Sequence, residues 1–309
     1  MRTFASLCIA FCVLQSAFAF DSADWLGKRE VFAREAERLR SAYSNFLGRV
    51  SAPAENVTVP VETFGNGSVK TLVRAKKAEY FLKEGVVWGE DVEVRRLSPD
   101  GSVEGRIRAS HCIVDRAARS VWAEGKASVT QGQTTFSGSG VFLSADESYV
   151  QVFGRTVIES REIKFGSARK ADGSFRGSSR RCDLDVRQGV ALFEGDVCAR
   201  SSDGTVLCAD RLYLFLAGTN ELKRAVAVGA VSITNGARVG TCAWSAYRRA
   251  RGEVEMFGDG KGTPARLAEN GAGGRSLEGT RIKFWIDAEQ VEVENSRIEA
   301  GKKGEEKLL

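Results

Sequence analysis

The chain repeats itself at an interval of 104 residues, and this repeat limits its fold more than any other feature. Gly85, Gly125, Gly132 and Gly154 each have a glycine 104 positions later, at Gly189, Gly229, Gly236 and Gly258. Glycine alone does not decide the matter, because with 33 glycines in 309 residues chance supplies about two such pairs at any offset. The flanks decide it. Ala123 to Gly132 reads AEGKASVTQG and Ala227 to Gly236 reads AVGAVSITNG; Val150 to Gly154 reads VQVFG and Val254 to Gly258 reads VEMFG. Asp91-Val92 matches Asp196-Val197, and Asp100-Gly101 matches Asp203-Gly204, with slips of one residue. We read two copies of one unit, 57–168 and 178–297, joined by the polar stretch Ser167 to Ser179, because a unit recurring at fixed period is one structural module.

Each module reads as antiparallel β. From about Asn56 onward, short segments rich in Val, Ile, Phe and Leu are separated by Asn66-Gly67, Asp100-Gly101, Asp172-Gly173, Asp203-Gly204, Asn235-Gly236, Asp259-Gly260 and Asn270-Gly271. These dipeptides accept the positive φ of tight hairpins. Only four prolines interrupt the strands, as suits long unbroken ladders. Within each copy there is a finer rhythm of apolar residues, a glycine, more apolar residues, a turn and a return strand; ALFEGDV at Ala191–Val197 and AVAVGAV at Ala225–Val231 are two instances. Across Gly229 the apolar phase slips by one, from Val226 and Val228 to Val231 and Ile233, which is the mark of a β-bulge. Repeated bulges bend a sheet until it partly closes on itself. The expected product is a stack of V-shaped β layers with an apolar interior.

One helix precedes the strands. Over 21–50, Trp25, Phe32, Leu39 and Phe46 recur every seven residues, with Ala36 and Tyr43 on the same face. Such a helix suits a partner or a membrane surface, but packing against the chain's own β domain is the plainer reading. Ahead of it, Met1-Arg2, an uncharged run from Phe4 to Phe18 and the small-x-small site Ala17-Phe18-Ala19 read as an export signal over 1–19, cleaved near Ala19. The apolar run is shorter than the ~20 residues of a membrane span. The mature chain is thus expected in an exported compartment, with 298–309 as a polar tail.

Five of the seven cysteines lie beyond this leader: Cys112, Cys182, Cys198, Cys208 and Cys242. None has the spacing of a zinc or redox motif. Cys198 and Cys208 flank Asp203-Gly204 almost symmetrically, so a hairpin there makes a cross-strand disulfide geometrically possible; the alternative is five small buried thiols. His111 is the one histidine, and its neighbour Cys112 points to the opposite face of a strand, so a Cys-His catalytic pair is not expected. Glu90-Asp91 and Glu292/Glu294 read as solvated faces, and the GAGG at Gly271–Gly274 lacks the Lys and the helix of a phosphate loop. Arg248-Arg249-Ala250-Arg251 and Arg180-Arg181 suit either lipid phosphates or the protection of strand edges. The formal charge of +5 excludes a strong polyanion binder, and no nucleic-acid partner is expected. No metal, cofactor or catalytic constellation is indicated.

The run FEGDVCARSSDGTVLCADRLYLFL at Phe193–Leu216, followed by AVAVGAVSIT and VEMFGDG, resembles the LptA/OstA family of lipopolysaccharide transport proteins. Gly195-Asp196-Val197, Ala209-Asp210, Gly229-Ala230-Val231 and Phe257-Gly258 stand at the places of that family's repeat. The first copy is similar to the related LptC-type periplasmic domain, with Ala109-Ser110 where the family has Ala-Asp. The resemblance implies an all-β chain of two tandem open β-jellyroll units preceded by one N-terminal helix. It implies a non-enzymatic periplasmic bridge carrying the acyl chains of lipopolysaccharide between inner and outer membrane. Its implied partners are lipopolysaccharide, other jellyroll proteins of the bridge, an inner-membrane ABC transporter complex and an outer-membrane β-barrel.

The inward apolar set of the second copy then supplies the lipid-facing candidates, Leu192, Val197, Leu212, Leu214, Val226, Val228, Val231 and Ile233; the alternative for each is ordinary core, and the sequence leaves the inward face open because Leu207, Tyr213 and Phe215 alternate with an equally apolar set. The physics stands without the name. Apolar surface in water costs about 25 cal/mol per Å², and a continuous apolar trough removes that cost at every step of a transfer. Open sheet edges let lipid pass sideways and let one unit add strands to the next. The competing reading is a structural or adhesive β-repeat protein of the cell envelope with a dry interior.

Overall fold

The computed structural model describes residues 22–118, 120–144, 149–161, 174–217, 221–269, 275–285, 290–295 and 297–300. The expected leader, the turns at Asp172-Gly173 and Asn270-Gly271, the GAGG loop, most of the polar join and the tail beyond 300 lie outside these residues. The chain is nearly all antiparallel β after one helix, α1 (Ser22–Leu47). It forms two compact units, one from Asp21–Ser160 with Ser179–Ala191, the other from Arg161–Ser178 with the chain from Leu192 onward.

In the N-terminal unit, β1 (Ala54–Thr63), β2 (Val69–Phe81), β3 (Val86–Leu97), β4 (Val103–Asp115), β5 (Ser120–Gln131) and β6 (Thr134–Leu143) form an antiparallel meander. The two halves of β6 then part: one pairs with β7 (Tyr149–Phe153), the other with β8 (Thr156–Ser160). After β9 (Phe175–Ser179), strand β10 (Arg181–Asp185) pairs with β7. The C-terminal unit repeats this pattern. The end of β11 (Val190–Ser201) pairs with β9, and β12 (Val206–Ala217), β13 (Glu221–Asn235) and β14 (Arg238–Arg248) form a meander. β14 divides between β15 (Glu253–Phe257) and β16 (Ala265–Glu269). β17 (Arg275–Gly279) joins β16, and β18 (Arg281–Trp285) joins β15. β19 (Val291–Glu294) and β20 (Arg297–Ala300) complete the ladders on β18 and β17.

Local sequence explains these turns. Three hairpins, at Phe64–Ser68, Ser98–Ser102 and Ser201–Thr205, share one geometry. In each, the glycine N–H donates to the first carbonyl (Gly67 to Phe64 at 2.9 Å, Gly101 to Ser98 at 2.9 Å, Gly204 to Ser201 at 3.1 Å). The Asn66, Asp100 or Asp203 side chain accepts the N–H two residues on, at 3.0, 3.0 and 2.9 Å. The short polar side chain thus stands in for a backbone acceptor while glycine supplies the positive φ. Glycines 104 residues apart share backbone conformation in three pairs: Gly85 and Gly189 (φ 68° and 64°), Gly125 and Gly229 (74° and 81°), Gly132 and Gly236 (55° and 56°).

The helix packs on its own β unit. Trp25, Ala36, Leu39, Tyr43 and Phe46 are all buried, as their seven-residue spacing requires of one helix face. Leu39, Tyr43 and Phe46 join Phe81, Trp88, Ile113, Trp122, Phe142 and Tyr149 in one cluster. Phe32 stacks on Tyr149 with ring centroids 4.5 Å apart. Two ion pairs fix the helix to the sheet: Arg29 Nε to Asp183 at 2.6 Å and Arg38 to Asp115 at 2.8 Å. The C-terminal unit has charge at the matching positions. Glu253 and Glu255, 104 residues after Tyr149 and Gln151, are buried and held by Arg248 at 2.6 and 2.9 Å, by Lys283 and by Arg281. Trp244 stacks on Phe257 at 3.6 Å beside them.

Candidate functional site

Cross-strand register decides which candidates share a face, since directly paired residues project to the same side of a sheet. Leu212 pairs with Ala227, which pairs with Ser245; Leu214 pairs with Ala225, which pairs with Tyr247. This side holds a cavity of about 50 Å³, lined by Leu212, Ala225, Ala227, Ser245 and Tyr247 together with Phe175, Ala199, Leu207, Ile233 and Val254. Among the eight candidates, Leu212 and Ile233 line it. Val197 and Val231 lie two residues before the liners Ala199 and Ile233, and Leu214 two after Leu212. Val226 and Val228 face the other way, paired with Tyr213 and Arg211 and with Ala246 and Trp244. Leu192 is buried, ahead of Gly195 and Asp196, which have positive φ.

The bulge at Gly229 is present: between Val228 and Val231, β13 takes three steps against two on β14. The face is not the one its valines suggest. In Ala-Val-Ala-Val at 225–228 the alanines point at the cavity, and their small size is why it exists. A cavity of about 50 Å³ is far below the roughly 150 Å³ that admits benzene.

A larger apolar surface lies in the N-terminal unit. Val59, Val73, Val94, Ile107, Val129, Phe136 and Ile158 pair in succession across seven strands, so all seven project to one side. Exposure rises along the row, from 0% at Ile158 and 6% at Phe136, through half-buried Val129, Ile107, Val94 and Val73, to 45% at Val59. The adjacent row on the same side is mostly small: Ala75, Val92, Ala109, Ala127 and Gly138. Ala75, Val92, Ala109 and Ala127 of that adjacent row are themselves buried, and Val152 and Phe153 fill the space over Gly138, so this apolar face, called the trough below, gains exposure only toward β1. Sequence reading passed over it because each valine is ordinary in its own strand; only the register aligns them.

Cys198 and Cys208 are joined by a disulfide across the Ser201–Thr205 hairpin, with Cα atoms 4.2 Å apart. Burial pushes the Cys112 and Cys242 thiols up to about 12 and the Cys182 thiol well above its usual value, so none is a ready nucleophile. Cys112 lies in the row Gly89–Cys112–Ala123, whereas His111 lies with Glu90 and Glu124. Arg248 belongs to the buried ion-pair network, Arg249–Arg251 form a 3-10 turn, and Arg181 binds Asp183 at 3.1 Å. Glu292 and Glu294 are exposed partners of Lys283 and Arg281. Among the described residues no group of three or more His, Cys, Asp and Glu is placed to hold a metal, and no helix is long and apolar enough to cross a membrane.

No family model matches the chain. Among curated proteins, the large ribosomal subunit assembly factor BipA of Escherichia coli (strain K12) is 26% identical over 187 residues, covering 59% of this chain and 27% of that protein. BipA of Haemophilus influenzae is 24% identical over a stretch of the same length. The chain thus spans about a quarter of the length of the curated relatives it matches. Among solved structures it is similar to LptH, the LptA homologous periplasmic component of the conserved lipopolysaccharide transport device from Pseudomonas aeruginosa. That likeness has 17% identity and a TM-score of 0.35, and covers 41% of this chain and 94% of LptH.

Proposed function

We propose that this protein is an exported, non-enzymatic carrier of lipid acyl chains, acting as a periplasmic component of lipopolysaccharide transport. The observation that carries the reading is the seven-strand apolar row whose exposure climbs from Ile158 to Val59. A sheet that merely packs a core buries such a row throughout; this one leaves valines within reach of solvent along the side facing β1. Each methylene that an acyl chain lays on them gains about 0.8 kcal/mol. The Gly-x-Val and Ala-Asp pattern of Phe193–Leu216 supports the same family of functions. On this reading the walls of the C-terminal cavity part for a chain to enter. The wider assembly, with jellyroll partners, an inner-membrane ABC transporter and an outer-membrane β-barrel, belongs to the same proposal.

The test is site-specific photo-crosslinking in cells that make lipopolysaccharide. Capture is expected from Val94, Ile107 and Ile233, and not from Val228 or from exposed Lys261. Equal capture at Lys261, or none at the trough positions, refutes the reading. The close packing of the C-terminal unit favours a second reading, a structural β-repeat protein of the envelope, which predicts no capture anywhere.

A further inference from the structure

The polar side of the strands that carry the valine trough holds an arginine cluster with too little negative charge. Arg74, Glu93 and Arg108 lie in one cross-strand row, and Arg95 and Arg106 face each other in the next. Glu93 is the shared acceptor. Arg95 reaches it with Nη2 at 2.5 Å and Nε at 2.7 Å and Arg108 with Nε at 3.2 Å, while Arg106 Nε lies 3.2 Å away as an ion pair without a hydrogen bond. Burial raises the carboxyl pKa of Glu93, but hydrogen bonds from Arg95 and Arg108 lower it further, so Glu93 carries its charge. The other nearby carboxylate, Glu104, is matched by Arg96 at 3.6 Å. Three arginines therefore share one carboxylate, and Arg74 stands beside them in the row of Glu93.

A structural ion-pair network looks different, and this chain contains one. In the C-terminal unit Arg224, Arg248, Arg281 and Lys283 are set against Glu253, Glu255, Glu292 and Glu294, a balanced set. Like charges directly opposite on a sheet are destabilising, so the Arg95–Arg106 pair works against folding. Arg106 and Arg108 use only Nε on Glu93. Among the described residues the buried Arg106 Nε has no hydrogen-bond partner, and the Nη groups of Arg106 and Arg108 and the Arg74 guanidinium make no hydrogen bond or ion pair. Those free forks suit the oxygens of a phosphate. Ser128 and Thr130, paired with Arg108 and Arg106 on the next strand, set hydroxyl donors beside them. Arg108 is 62% exposed, so the cluster is open to a ligand.

We propose that Arg74, Arg95, Arg106 and Arg108 form a binding site for a phosphate-bearing anion, either free or displayed on a lipid. The site is on the opposite side of the sheet from the trough and does not depend on acyl-chain binding. The test titrates the full chain with pyrophosphate, and separately with phosphatidylcholine vesicles with and without phosphatidic acid. Salt-sensitive binding of pyrophosphate identifies a site for phosphate in general; binding of phosphatidic-acid vesicles alone identifies a lipid-borne ligand, and both outcomes support the proposal. Arg106→Gln with Arg108→Gln is expected to weaken binding about tenfold for each arginine, and Glu93→Gln to tighten it. If the double variant does not fold, Arg106→Lys with Arg108→Lys keeps the charge but loses the forks, and a smaller loss is expected. Arg248→Gln, in the balanced network, should leave binding unchanged. The proposal falls if the wild type binds neither probe, if Arg248→Gln weakens binding as much as the double variant, or if only an acidic polypeptide binds.

Discussion

Gly229 and Gly125 occupy matched bulges with different neighbours, and alanine at the two positions separates two energies. Both glycines have left-handed backbones, φ 81° and 74°. A Cβ in that conformation costs roughly 1–2 kcal/mol at either site. The space around them differs. A methyl group at Gly229 would sit 2.8 Å from Asp210 Cγ and 2.9 Å from Asp210 Cβ, whereas at Gly125 the nearest atom, Ser110 Cβ, is 4.0 Å away. Asp210 Cβ is anchored to the backbone, so β12 itself must move, and such overpacking costs about 1–3 kcal/mol. Gly125→Ala should therefore lose about 1–2 kcal/mol and Gly229→Ala about 2–5 kcal/mol.

Urea unfolding measures both losses, and hydrogen exchange of peptides from β12–β13 and β4–β5 assigns each to its unit. Adding Asp210→Gly to Gly229→Ala removes the clash, so a double-mutant cycle should recover about 1–3 kcal/mol of coupling. Ser110→Gly with Gly125→Ala should show almost none. Equal losses at the two glycines, or no recovery with Asp210→Gly, would refute the claim that the Ala-Asp pair of the second copy packs against its bulge.

Three further outcomes are expected. Phe32→Ala removes the stack on Tyr149 and should cost about 2–3 kcal/mol in thermal or urea unfolding, less than the 3–5 of a fully buried ring, while Val31→Ala on the exposed side of α1 should change little; equal effects would mean that the helix is not docked by this face. Burial raises the Asp115 carboxyl pKa, but hydrogen bonds from the Ala118 N–H and Arg38 outweigh this and leave it below its ordinary value. Its contribution to stability is therefore present above the unfolded pKa of about 3.9 and is lost as pH falls through the lower folded value; Asp115→Asn should flatten the acid limb of a stability-versus-pH curve, and an unchanged limb would sink the assignment. Ala227→Val adds methyl groups to the 50 Å³ cavity, so it should stabilise by up to about 1 kcal/mol, taking ~24 cal/mol per Å³, and should reduce lipid capture at Ile233. A marked loss of stability would show that the cavity has no room.

Local and periodic features of this chain are written in its sequence because each depends on residues close together. The heptad of Trp25, Phe32, Leu39 and Phe46 specifies a one-sided helix wherever the chain folds. Asn-Gly and Asp-Gly specify hairpins because only a few residue types tolerate their φ. The slip across Gly229 marks a bulge because strand alternation has a period of two. What faces what was decided by the tertiary structure. In Ala-Val-Ala-Val at 225–228 hydrophobicity favours the valines, but the register with Leu212 and Leu214 turns the alanines to the cavity. The row from Val59 to Ile158 draws on seven strands spread over about a hundred residues, and even the arginines around Glu93, on the neighbouring strands β3 and β4, meet only through the register of that hairpin. No local pattern encodes such a row, because a shift of one residue in any single ladder would move its member to the other side of the sheet.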